Sequence, residues 1–271
     1  MAFLAAAIQM KGGRDKAANL ERAEHLIGEA ARRGAEFVAL PEVFSWRGRR
    51  DEAAEQAEDL AGPTLSLMAR LARELQLYLL AGSIYERVPG QTRSHNTSVL
   101  FGPDGARLAV YRKIHLFDVD LPGHLTIRES EAMMPGSEPV CVTTELGAIG
   151  MTICYDLRFP ELYRKLAFAG ARIVTVPSAF TFPTGEAHWE VLIRARAVEN
   201  QCYVVAPAQF GPNVHGFNDY GNSMIVDPWG RVLARAADRE EVAVAPIDLD
   251  YLESVRRNLP ALAHVRLRGD R

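Results

Sequence analysis

The stretch Gly34-Ala-Glu-Phe-Val-Ala-Leu-Pro-Glu-Val-Phe44 returns later in the chain as Gly170-Ala-Arg-Ile-Val-Thr-Val-Pro-Ser-Ala-Phe180. In both copies a glycine ends a helical pattern, a short apolar run follows, and a proline closes it. Such a run, too short for a helix and unbroken by charge, fits a strand buried on both faces of a parallel sheet. The prolines stand 136 positions apart (177 − 41). Two turn sequences repeat as well, Gly102-Pro-Asp-Gly105 and Asp227-Pro-Trp-Gly230, at a spacing of 125 (228 − 103). Connecting loops of unequal length explain the drift.

Working outward, the same order of elements surrounds each copy. Residues 3–9 read as a buried strand, and Asp15 caps a helix carrying Leu20, Ala23, Leu26, Ile27 and Ala30 on one face. After the first copy, Gly62-Pro63 opens a second helix with Leu67, Met68, Leu71 and Leu75, and Leu77 to Ile84 reads as a third strand before the hairpin. The later half has a strand from Ala148 to Ile153, a helix opened by Pro160, a strand from Ile173 to Val176, a helix from Glu186 to Glu199, and a strand from Cys202 to Ala206. These are two similar β-α-β-α-β halves, each ending in a hairpin, and we expect one α/β domain over residues 1–271. Helices between nearly continuous apolar strands imply buried sheets with helical outer layers, so the halves should pack sheet on sheet as a four-layer α-β-β-α sandwich. Ligands in such open sheets gather beyond the carboxyl ends of the strands. The stretch 113–139, with Pro122-Gly123 and Pro135-Gly136, has little periodicity, and so long a loop is a functional candidate.

Composition narrows the partners. The 271 residues are 48% hydrophobic and 24% charged, enough apolar material for a sizeable core. Lys and Arg number 31 against 34 Asp and Glu, a net charge of −3. Without long basic runs, neither nucleic acid nor an anionic membrane is an expected partner. No apolar stretch approaches the ~20 residues of a membrane helix. The apolar start Met1 to Met10 is followed, not preceded, by Lys11 and Arg14, which fits a buried strand rather than a signal peptide. Cys141, Cys154 and Cys202 form neither a disulfide framework nor a C-x-x-C pair, so a reducing cytoplasm is the expected home and no metal is expected.

Four residues stand out chemically. Cys154 ends an apolar strand shortly before the helix opened by Pro160, where the helix dipole would lower its pKa and favour thiolate; a small buried hydrophobe is the equal alternative. Cys141 and Cys202 sit inside apolar strands and read as core. Glu42 follows Leu40-Pro41 at a strand end, where partial burial would suit a general base. Lys113, in Tyr-Arg-Lys-Ile-His-Leu, and Glu129, in Arg-Glu-Ser, would each pass alone for solvated surface charges, and Glu131 competes with Glu129.

Taken together, Leu-Pro-Glu42, Tyr-Arg-Lys113-Ile-His-Leu, Arg-Glu129-Ser and Ile-Cys154-Tyr-Asp-Leu-Arg-Phe-Pro-Glu-Leu resemble the motifs of the nitrilase superfamily of carbon-nitrogen hydrolases. The likeness runs from about Phe3 to the last helix and is closest to the Nit branch, which holds deaminated glutathione amidases and omega-amidases. Pro177-Ser-Ala-Phe180, His188 to Arg196 and Asn200 to Val205 look more like the former; omega-amidases tend to have Gly in place of Ser178. Asn222 departs from the His that relatives often carry. The resemblance implies a nitrilase-like sandwich and a Glu42–Lys113–Cys154 triad without cofactor. Cys154 would attack an amide carbonyl to form a thioester, with Lys113 and the Tyr155 N–H on the oxyanion. Glu42 would move protons, and Glu129 would orient Lys113 or the substrate. Substrate contacts would come from Arg158, Ser178 and His188, with Arg158 holding a carboxylate unless it pairs with Asp156 or Glu161. A homodimer or larger homo-oligomer would be usual.

Two rivals compete with this reading. One is a Cys–His hydrolase using Cys154 with His188 or His115; the other is a binding protein of the same fold without turnover.

Overall fold

Alternation along the first strand decides how the layers stack. In a computed structural model, which describes residues 1–49, 52–121, 125–214 and 216–267, β1 (Ala2–Met10) turns Phe3, Ala5 and Ala7 to one face and Ala6, Ile8 and Met10 to the other. Both sets are buried, as period-2 side chains must be in a sheet covered on both faces. The second set packs on Ala23, Leu26, Ile27 and Ala30 of α1 (Lys16–Arg32), whose cap Asp15 accepts from the Ala18 N–H at 3.0 Å. β2 (Ala35–Ala39) divides likewise, with Phe37 and Ala39 on the first face and Val38 on the second. After a short α2 (Ala53–Gln56), α3 (Pro63–Leu75) starts on Pro63 and adds Leu65, Met68 and Leu71 to the helical side.

The expected strand from Leu77 to Ile84 is two strands, β3 (Tyr78–Leu80) and β4 (Ile84–Glu86). The break falls at Gly82, with φ +34, where a Cβ would lie 2.0 Å from the Pro41 carbonyl oxygen. Only a glycine lets the chain come so close to the end of β2. β5 (His95–Phe101) and β6 (Arg107–Arg112) make the hairpin around Gly102-Pro-Asp-Gly105. The body of this sheet runs β6-β5-β3-β2-β1, with β1, β2 and β3 parallel.

The long stretch after β6 is more ordered than its lack of periodicity implied. It holds a hairpin of β7 (Asp118–Leu121) and β8 (Leu125–Arg128), then a 3-10 turn at Glu129–Glu131. The Pro122-Gly123 turn lies outside the described residues. β9 (Val140–Thr144) and β10 (Gly147–Met151) lead to a 3-10 turn over Cys154–Arg158 and to α4 (Pro160–Phe168). There follow β11 (Ile173–Thr175), α5 (Phe182–Asn200), which starts four residues before the expected Glu186, and β12 (Tyr203–Ala206). β13 (Ala208–Pro212) and β14 (Asn218–Tyr220) extend the first sheet from the end of β1. β15 (Met224–Val226) and β16 (Val232–Arg235) form the second hairpin, and β17 (Glu241–Asp248) and α6 (Leu249–Asn258) finish the fold.

The second sheet runs β16-β15-β12-β11-β10-β9, with the same three parallel strands and the same hairpin as the first. Each sheet gains an antiparallel strand from outside the repeat: β9 on β10, and β17 on β1 from Ala2↔Asp248 to Gln9↔Glu241. Phe3, Phe37, Tyr78 and Leu100 share one buried cluster with Ile149, Met151, Val204 and Ile225 of the second sheet. Each large side chain so buried contributes about 1.5–3 kcal/mol. The result is the four-layer α-β-β-α sandwich expected from the repeat. Among the described residues, no helix is long and apolar enough to cross a membrane.

Candidate active site

Chain segments that follow three strands converge on one cavity of about 60 Å³, lined by Glu42, Arg47, Asn96, Lys113, Glu129 and Cys154 among others. Glu42 lies beyond β2, Lys113 directly after β6, and Cys154 beyond β10. Lys113 is 2% exposed, and its Nζ donates to Glu42 Oε1 at 3.0 Å and to Glu129 Oε1 and Oε2 at 3.0 and 2.9 Å. Its backbone is pinned too: the N–H donates to the Asn96 carbonyl at 2.9 Å, and the carbonyl accepts from the Gly136 N–H at 2.8 Å. Asn96 Nδ2 donates to Glu42 Oε1 at 2.9 Å, and the Phe117 N–H donates to Glu129 Oε2 at 2.6 Å. Of the two glutamates left open, Glu129 is the buried one that meets Lys113, whereas Glu131 is exposed.

Two backbone irregularities aim the acid and the thiol. Val43 has φ +46 and Cys154 has φ +49, conformations that cost a side-chain-bearing residue about 1–3 kcal/mol and persist only when neighbours hold them. Val43 donates its N–H to Ser83 Oγ at 2.9 Å, and Cys154 donates its own to the Pro177 carbonyl at 2.9 Å. The close approach permitted by Gly82 brings Ser83 into place.

Electrostatics separate the protonation states. Burial by itself raises the Glu42 pKa, but the Lys113 ammonium, a hydrogen bond with Cys154 and Arg47 outweigh it, and the net shift is downward. Burial lowers that of Lys113, yet Glu129, Glu42 and Cys154 hold it well above the ordinary lysine value. Burial and the Glu42 charge push the Cys154 thiol well up, against Lys113 and the Ala179 N–H. This corrects the expectation of a helix-stabilised thiolate. The turn carrying Cys154 is a five-residue 3-10 segment and α4 begins only at Pro160, so burial beside a carboxylate wins over any dipole. Cys154 thus rests as a thiol hydrogen-bonded to the Glu42 carboxylate.

The remaining expected residues divide. Tyr155 and Arg158 line a smaller pocket of about 20 Å³ that shares Cys154 with the first. The Tyr155 N–H, second in its 3-10 turn, donates to no protein acceptor among the described residues. Arg158 pairs with neither Asp156 nor Glu161. Its guanidinium lies over the Tyr155 and Phe180 rings, at 5.7 and 5.5 Å, and 3.3 Å from His188 Nδ1. His188 is exposed on α5 and lines neither pocket, but it buttresses Arg158. Ser178 corrects its expected role: it is fully buried, lines neither pocket, and spends its hydroxyl on the Val176 carbonyl at 3.0 Å. The Cys–His rival fails on geometry. His115 Nδ1 sits 2.7 Å from Asp156 Oδ1 and its ring stacks on Phe159 at 3.6 Å, while the thiol faces Glu42.

Two participants were missed. Asn96 tethers both acids, and Arg47, five residues after Glu42, makes a bidentate pair with Asp219 at 2.7 and 2.5 Å on the cavity wall. No local pattern links residues 172 positions apart.

Comparison with known proteins agrees with this geometry. The carbon-nitrogen hydrolase family model matches residues 4–257. A deaminated glutathione amidase of Synechocystis sp. is 44% identical over 265 residues, covering 97% of this chain and 97% of its own. Omega-amidase NIT2-A of Xenopus laevis is 43% identical over 245 residues, covering 90% of this chain and 88% of its own. The crystal structure of the C. elegans NitFhit protein superposes with a TM-score of 0.92 at 39% identity; the match covers 98% of this chain and 65% of that longer one. A family match over nearly the whole chain, close relatives of similar length and a shared sandwich lead to one conclusion: the chain belongs to the carbon-nitrogen hydrolase family.

Proposed function

We propose that the protein is an amidase that hydrolyses a carboxylated amide through a thioester on Cys154, with deaminated glutathione as the leading substrate. The observation that carries this reading is the buried Lys113 ammonium held between Glu42 and Glu129, with Glu42 hydrogen-bonded to the Cys154 thiol. Glu42, ionised at neutral pH, takes the thiol proton as Sγ attacks the amide carbonyl. The oxyanion that forms is met by Lys113 and the Tyr155 N–H in a site that excludes bulk water. Protonated Glu42 then gives its proton to the departing amine, the C–N bond breaks, and a thioester remains. Water enters, Glu42 takes its proton, and the second tetrahedral intermediate collapses to acid and free thiol. Glu129 keeps Lys113 charged and in register throughout.

Recognition of a carboxylate falls to Arg158. Among the described residues it has no acidic partner, and it faces the smaller pocket beside Cys154. A guanidinium braced by two aromatic rings and His188 binds a carboxylate at lower entropic cost than a mobile one. The named relatives support deaminated glutathione first. The omega-amidase at nearly equal identity supports a second reading, a short carboxylated primary amide such as 2-oxoglutaramate. Free cysteines at all three positions fit a cytoplasmic setting. Exposed Val191 and Val198 on α5, with Trp229 nearby in sequence to β15, fit a homodimer or larger assembly. The test is product release from deaminated glutathione, 2-oxoglutaramate, simple aliphatic amides and a neutral analogue, with native mass measured alongside. Turnover of the neutral analogue as fast as the acid, or a preference above tenfold for 2-oxoglutaramate, overturns the substrate assignment.

A further inference from the structure

Asp156 is fully buried two residues after Cys154, and none of the steps above uses it. Its carboxylate accepts on both oxygens. Oδ2 takes the Ile153 N–H at 2.9 Å and the Tyr111 hydroxyl at 2.6 Å. Oδ1 takes the His115 backbone N–H at 3.0 Å and lies 2.7 Å from Nδ1 of the same residue's ring. Ile153 immediately precedes Cys154, while Tyr111 and His115 stand two residues to either side of Lys113. One side chain thus grips both the thiol's turn and the segment that bears the ammonium.

We propose that Asp156 is a positioning residue that sets Lys113 against Cys154, an inference that rests on the roles proposed for those two. The positive φ of Cys154 requires restraint: the Ile153 N–H bond to Asp156 closes the turn at the adjoining residue, and the Tyr111 and His115 bonds tie that turn to the segment bearing Lys113. An oxyanion donor displaced by even half an ångström loses much of its effect, so the spacing between the two segments matters as much as their presence. Bonds to an ionised acceptor are the stronger kind, and here they satisfy a buried charge that would otherwise be prohibitive. The arrangement demands a carboxylate. Each oxygen faces a backbone N–H, Ile153 on one side and His115 on the other, so an asparagine NH₂ would meet a donor whichever way it turned.

The experiment is a double-variant cycle on the full chain: wild type, Asp156→Asn, Lys113→Met and both together, with kcat, KM and melting temperature for each. Asp156→Asn should lower kcat by on the order of 10²-fold with KM within about threefold. In the Lys113→Met background the same change should cost less than about threefold, because the group it positions is already gone. Fully additive losses, the result of a merely structural role, would overturn the proposal, as would a folded Asp156→Asn protein with wild-type kcat. Should Asp156→Asn fail to fold, Tyr111→Phe and His115→Ala each remove one side-chain bond, and unchanged kcat in both overturns it equally. Alkylation of Cys154 by iodoacetamide, followed by mass spectrometry, needs no knowledge of the substrate. A fall of about tenfold or more in Asp156→Asn supports positioning even if no amide is turned over, which would sink only the amidase reading; equal rates sink the positioning itself.

Discussion

Pro41-Glu42 and Pro177-Ser178 end equivalent strands, β2 and β11, yet the two ends have different fates. Glu42 turns into the cavity and meets Lys113 and Cys154, whereas the Ser178 hydroxyl turns back onto its own strand at Val176. The second half contributes Cys154 to the cavity from beyond β10 instead, a position whose counterpart in the first half is the end of β1, Met10-Lys11. The repeat therefore extends to the scaffold and its strand ends, while the mechanism proposed above uses a different end in each half. Packing sheet on sheet then sets the acid of one half beside the thiol of the other. The Cys154 N–H bonded to the Pro177 carbonyl shows the silent end still at work, as a brace for the turn beside it.

The sharpest way to break this comparison is to exchange the fates of the two ends. Cys154→Ala should abolish turnover, by at least about 10³-fold, while Cys141→Ala and Cys202→Ala retain it; a stable adduct from a slow substrate should map to Cys154 by mass spectrometry. Glu42→Gln should cost about 10²–10⁴-fold in kcat, read by initial rates on the preferred amide. Lys113→Met should cost about 10²–10³-fold in kcat and also lower the melting temperature, since it strands Glu42 and Glu129 together in the interior. If only KM rises, Lys113 binds substrate and does not stabilise the transition state.

The ion pair behind these effects has a pH signature. Glu42 sits below its ordinary 4.5, so its contribution to stability is present above that value and lost as pH falls through the lowered one. Lys113 sits above its ordinary 10.5, so its contribution is present below that value and lost as pH rises through the raised one. Melting temperature measured from about pH 3 to 11 should therefore show a smaller acid and alkaline dependence in the Glu42→Gln/Lys113→Met double variant than in wild type. A smaller effect is expected of Arg158→Lys: about tenfold in KM for a carboxylated amide and none for a neutral one, from steady-state kinetics on both. Smallest of all, Ser178→Ala should leave kcat within about twofold and cost about 1 kcal/mol in chemical denaturation. A large kcat loss there would show that the silent end is not silent.

Much of this is legible in the amino-acid sequence. Asp15, Pro63 and Pro160 each start the helix their chemistry specifies, because caps and proline act within one turn. The paired apolar runs specify buried strands, and their recurrence specifies two like halves. Glu42, Lys113 and Cys154 stood out because each sits in a short motif near a strand end. Leu77 to Ile84 reads in the sequence as one strand, because the approach of Gly82 to Pro41 that breaks it involves a partner 41 residues earlier in the chain (82 − 41).

The residue pattern by itself thus determined the repeat, the helix starts at Asp15, Pro63 and Pro160, the core strands of each half and the residues Glu42, Lys113 and Cys154, all of which follow from local periodicity, local backbone preference and short motifs. Tertiary structure alone decided which glutamate reaches Lys113, that Asp219 pairs with Arg47, that β17 closes the first sheet against β1, and that Cys154 rests as a thiol. The physical reason is common to all four. Each depends on desolvation and on charges or donors brought together from distant parts of the chain, and a carboxylate buried within reach of a thiol reverses what a nearby helix start would predict.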